Sequence, residues 1–131
     1  MSKKAFVFII ALMLTLVIIF IRYQYRVDLR DVEPKEVVIE FQPDAKNIKI
    51  TNVTQIREII DLLGTEKWKP HFFWRLKYSP ILFVVINDTI IGLFDFDSTY
   101  AVINENGKSR YYNVPQNTFN QIYKIYNEQS D

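Results

Sequence analysis

The sequence predicts an α+β protein: an N-terminal transmembrane helix, then an antiparallel sheet of about five to six strands with two helices packed on one face. Three observations carry that expectation. A charge-free apolar run opens the chain, two later segments repeat apolar residues with a helical period, and several short stretches between turn residues alternate with a period of two. Residues 1–30 read as a membrane anchor and stalk, and residues 31–131 as one small domain.

The apolar run, residues 5–21, is 17 residues long, with Lys3 and Lys4 before it and Arg22 after it. As a helix it rises about 26 Å, slightly short of a hydrocarbon core of about 30 Å. Lys4 and Arg22 can extend toward the headgroups to close that gap. After the run, Phe20, Ile21, Arg22, Tyr23, Gln24 and Tyr25 supply none of the small residues that signal-peptide cleavage requires, so the segment is expected to remain as an anchor. The absence of cysteine removes a lipoprotein anchor as well as disulfides and thiolate chemistry. Cations flank both ends, and the preference of short N-terminal tails for the cytoplasm favours an extracytoplasmic domain. Arg22, Arg26 and Arg30 recur every fourth residue and would share one helical face; with Lys3 and Lys4 they are candidates for lipid headgroups.

Pro34 ends the stalk. Val37, Ile39 and Phe41 then alternate with polar or outward positions, Gln42-Pro43-Asp44 turns the chain, and Ile48 and Ile50 alternate again: a hairpin or bent strand. Asn52, with Gln55 three residues on, caps a helix over residues 53–63 whose stripe is Val53, Ile56, Ile60 and Leu63, closed by Gly64. Residues 71–78 alternate as an amphipathic strand with Phe72 and Trp74 inward. Residues 81–86 are apolar throughout, as in a strand covered on both faces, and Asn87-Asp88 turns into a strand over residues 89–96. Residues 100–103 and 109–113 form a further hairpin about Asn106-Gly107. Pro115 opens a last helix with the stripe Phe119, Ile122, Tyr123 and Tyr126.

Composition narrows the chemistry. Residues 1–30 carry five Lys/Arg against Asp28, while residues 31–131 carry eleven against fourteen Asp/Glu, so the domain lacks the basic footprint that phosphate backbones demand and no nucleic acid is expected. One histidine, His71, leaves no second imidazole for a metal site or triad. Three glycines, Gly64, Gly92 and Gly107, cannot build a phosphate loop. No cofactor is expected. Asp95 and Asp97 share a strand face and are the one carboxylate pair suited to a divalent cation or to acid/base work, with Asp88 better read as turn chemistry.

The densest aromatic and basic cluster is residues 68–75, within which Trp68, His71, Phe73 and Arg75 are candidate partner contacts. Strand alternation puts Trp68 and Phe73 off the core face, and places Ile91 and Leu93 on the sheet face that the helices leave open. These residues point to a non-catalytic binding or regulatory module at the membrane, engaging another membrane or envelope protein through an aromatic and apolar surface. Two alternatives remain: a small carboxylate-dependent enzyme centred on Asp95 and Asp97, or a structural subunit whose helix assembles with others. The latter resembles pilin-like proteins in architecture, although the glycine before the apolar run and the glutamate within it that mark that family are absent.

Overall fold

The computed structural model describes residues 2–25, 27–29, 33–71, 79–95 and 99–130, with 22–25 described by their backbone. Helix α1 spans Lys3–Tyr25; β1 (Val37–Phe41) and β2 (Lys46–Ile50) are joined by a 3-10 turn over Gln42–Asp44. Helix α2 (Val53–Leu63) leads through a second 3-10 turn, Thr65–Lys67, to β3 (Lys69–Pro70). Strands β4 (Leu82–Ile86), β5 (Thr89–Leu93), β6 (Tyr100–Glu105) and β7 (Lys108–Asn113) precede α3 (Thr118–Gln129).

The strands make one antiparallel sheet in the order β2-β1-β4-β5-β6-β7-β3. The α+β class holds, but the sheet has seven strands where five to six were expected. Strand β3 has only two residues, pairing Lys69 with Asn113 and Pro70 with Tyr112, too little pattern to be read from sequence. The strand expected over residues 71–78 falls, apart from His71, outside the described residues.

Local signals explain the boundaries. The Asn52 side chain accepts a hydrogen bond from the Gln55 backbone N–H at 3.1 Å, satisfying one of the amides at the start of α2 that lack a helical partner. Gly64 ends the helix at φ 55°, the left-handed conformation that a Cβ disfavours. Asn106 and Gly107 both take positive φ, 54° and 76°, matching the type I′ turn that fits the twist of a two-residue hairpin.

One face of the sheet forms the core. Val37, Ile39, Phe41, Leu82, Val84, Ile86, Ile91, Leu93, Ala101, Ile103 and Tyr112 are buried there, joined by Ile56, Ile59, Ile60 and Leu63 of α2 and Phe119, Ile122 and Tyr126 of α3. Full burial stabilises by about 1.5–3 kcal/mol for each Val, Leu or Ile side chain. In α2 the inward stripe includes Ile59 rather than Val53, which sits at the helix start with 70 % of its surface exposed. At the C-terminal end, Phe41 meets Tyr123 edge-on at 4.9 Å, and the Tyr126 hydroxyl lies 3.2 Å from the Lys46 carbonyl and 3.4 Å from Asp44 Oδ2. These contacts tie α3 to the β1–β2 corner.

Helix α1 follows a different rule. Its apolar residues are exposed from Phe6 to Phe20, and its segment Lys3–Ile21 is long and apolar enough to cross a membrane, with none of it buried by the rest of the protein. Thr15, the polar interruption, donates its hydroxyl to the Ala11 carbonyl at 2.8 Å, so its O–H is satisfied within the helix. The helix ends at Tyr25, and the chain then enters the domain: Leu29 is buried in the core cluster and Val27 packs against it. The face expected to align Arg22, Arg26 and Arg30 lies outside the described residues, apart from the backbone of Arg22.

Candidate functional surfaces

The face of the sheet opposite the helices is a candidate surface. Register places Ile90 beside Val85 and Asn104, and Gly92 beside Phe83 and Val102. Phe83, Val85, Val102 and Tyr111 are half-buried and Ile90 is 41 % exposed, so these strands present apolar side chains on both sides. Pro80 lies directly on this face at Gly92: a Cβ there would stand 2.7 Å from Pro80 Cγ and 3.0 Å from Val102 Cγ1. Between Pro80 and the strands runs a groove of about 390 Å³, lined by Phe83, Ile90, Gly92 and Val102 with polar Gln42, Asn104 and Ser109.

The expected composition of that surface needs correcting. Ile91 and Leu93 point into the core, at 0 % and 1 % exposure, because Ile91 opposes Val84 and Ile103, and Leu93 opposes Leu82 and Ala101, all core residues. Apolar residues at both phases of β4 and β5 hide which phase faces inward, and the one-residue error moves every side chain to the other side. Trp68 is also buried, at 6 %. It precedes β3 in a turn, where its Nε1–H donates to the Leu63 carbonyl at 2.8 Å, satisfying one of the carbonyls left open at the end of α2, and its ring lies 6.0 Å from that of Tyr112. Phe73 and Arg75 lie outside the described residues. The signal for the true face was Gly92 inside a strand, which marks a close backbone approach.

His71 continues the β3 pairing, its backbone N–H donating to the Tyr111 carbonyl at 2.9 Å, and its ring sits 5.1 Å from that of Tyr100. Its Nε2 is buried without a hydrogen-bond partner among the described residues. Asp95 is exposed just beyond β5, Asp88 occupies the β4–β5 turn, and Asp97 lies outside the described residues. Among the described residues no three His, Cys, Asp or Glu side chains gather as metal ligands would.

Lys3 and Lys4 are exposed at the start of α1, Arg22 falls in its last turn, and Arg26 and Arg30 lie outside the described residues. Helix α1 approaches β3, with Cα atoms within 8 Å. Beside this exit, Val27 and the β6–β7 hairpin enclose a cleft of about 260 Å³ lined by Ile103, Glu105, Asn106, Lys108, Arg110 and Tyr112. Elsewhere, burial pushes the Tyr126 hydroxyl above the ordinary tyrosine range, and the Asp44 carboxylate adds to the shift.

Comparison of the chain with protein-family models, with curated proteins and with solved structures finds no match.

Proposed function

We propose that this chain is a membrane-tethered, non-catalytic binding module of the cell envelope: α1 crosses the bilayer once, and the open sheet face engages another membrane or envelope protein. The observation that carries the reading is the groove beneath Pro80, where Phe83, Ile90 and Val102 line an open surface flanked by hydrogen-bonding side chains. An apolar centre with polar neighbours is the composition of a protein-binding patch. The tether rests on α1, whose unburied apolar surface water would penalise and lipid would accept. The domain lies outside the cytoplasm in this reading, following the preference of a short N-terminal tail for the inner side.

The chain contains no cysteine, so Ile90→Cys provides a single addressable thiol on the groove. Treated on intact cells with an impermeant, thiol-directed photo-crosslinker, this variant is expected to be labelled and to give one discrete protein adduct, which Phe83→Asp suppresses. Labelling only after lysis would reverse the orientation. Complete labelling that yields lipid adducts alone would sink the protein-docking role.

A further inference from the structure

We propose that the cleft between Val27 and the β6–β7 hairpin is a binding site for the glycerophosphate headgroup of an anionic membrane phospholipid. The inference rests on α1 spanning the bilayer and assigns a ligand to a surface separate from the groove under Pro80.

Depth is the first argument. The candidate span ends at Ile21 and α1 continues to Tyr25, a rise of about 6 Å at 1.5 Å per residue. The headgroup layer adds roughly 5–8 Å on each side of the hydrocarbon core. Val27, two residues beyond Tyr25, therefore lines a cleft at or just above headgroup depth. Leu29, four residues beyond Tyr25, is buried in the core cluster, so the length of the connecting chain bounds how far the cleft can stand from α1.

Charge is the second. Over residues 31–131 acidic side chains outnumber basic ones, yet among the described residues lining the cleft Lys108 and Arg110 stand against Glu105, Asp28 neighbours Val27 in sequence, and exposed Lys69 stands on β3, the strand that α1 approaches. Arg110 is half-buried at the cleft wall, and Lys108 is exposed beside it. A phosphate diester accepts charge-assisted hydrogen bonds from such a pair. Glu105 and Asn106 supply acceptors for head hydroxyls, which a glycerol headgroup has and a choline headgroup lacks. Phospholipid is present in both leaflets, so the site works in either orientation of the chain.

The test uses the full chain in nanodiscs of phosphatidylcholine, alone or doped with phosphatidylglycerol, read by native mass spectrometry. The parent protein is expected to retain phosphatidylglycerol, and Lys108→Gln with Arg110→Gln to retain roughly tenfold less, the equivalent of about 1.4 kcal/mol. Lys108→Glu, an exposed change that spares the fold, should act in the same direction, while Lys46→Gln with Lys49→Gln on β2 should change nothing. Inorganic phosphate added to phosphatidylcholine nanodiscs separates the sources: an adduct lost in the double variant would support the same phosphate chemistry with a soluble ligand. Equal retention by parent and variants, without a phosphate adduct, would overturn the site while leaving the anchor intact. A chain that does not enter nanodiscs at all would overturn both.

Discussion

The two faces of the sheet are built from the same strands, yet one is closed and the other is not. On the inner face Ile39, Leu82, Val84 and Ile91 have no exposed surface, held under α2 and α3. On the outer face, one residue along in each strand, Phe83, Val85 and Val102 are half-buried and Ile90 is 41 % exposed. In β4 and β5 both faces carry apolar side chains, and burial distinguishes them. The inner face therefore accounts for stability, and the outer face retains apolar surface that a partner can still remove from water.

Substitution at matched positions breaks or sustains this contrast most directly. Leu82→Ala removes a side chain with 0 % exposure from the inner face and should destabilise the domain by about 2–5 kcal/mol, through lost transfer energy and the cavity left behind. Ile90→Ala, on the outer face, should cost less than about 1 kcal/mol. Chemical denaturation of the full chain in detergent checks both. Equal costs would mean that the outer face is as tightly packed as the inner one, and would remove the physical basis for a docking surface there.

The sequence makes one of these faces legible and not the other. In the hairpin of β1 and β2 the outward phase carries Glu40, Asn47 and Lys49, which fixes the side that is buried, and α2 is readable to the residue because Asn52 and Gly64 bracket it. In β4 and β5 both phases are apolar, so periodicity cannot say which turns inward; register with β6 and the helices decides it. Trp68 escapes the pattern for a related reason: alternation does not carry through the turn that precedes β3, and the carbonyl that its indole satisfies belongs to α2, five residues earlier. The apolar helix α1 is legible because composition alone marks it. The charged cleft is not, since it joins Val27 to residues about eighty positions away.

Gly92 tests the outer face at its closest contact. An added Cβ would meet Pro80 at 2.7 and 2.8 Å and Val102 at 3.0 Å, distances that require Pro80 to lift from the sheet. The pyrrolidine ring cannot rotate away as a flexible side chain would, so Gly92→Ala should cost about 1–3 kcal/mol and widen the groove. Gly107→Ala is the informative control: no atom lies within 4 Å of its Cβ, and the penalty there comes from the positive φ alone. If Gly92→Ala matches the parent in stability, Pro80 does not rest on the sheet, and the groove loses one of its walls.

The smallest effect separates the two faces by pH. Tyr126 belongs to the inner side, where burial, and secondarily the Asp44 carboxylate, raise its hydroxyl above the ordinary value. A raised folded-state value means that the neutral form is the one the fold accommodates. Its contribution is therefore complete below about pH 10, the unfolded value, and is lost as pH climbs through the higher folded value. Tyr126→Phe removes the hydroxyl that lies 3.2 Å from the Lys46 carbonyl and 3.4 Å from Asp44, at a cost of about 0.5–1.5 kcal/mol near neutrality. The phenylalanine variant cannot ionise, so its stability should fall less steeply than the parent's above pH 10, and the two curves should converge. Parallel curves across that range would mean that the Tyr126 hydroxyl meets solvent in the folded protein, and that the inner face is open where α3 crosses the β1–β2 corner.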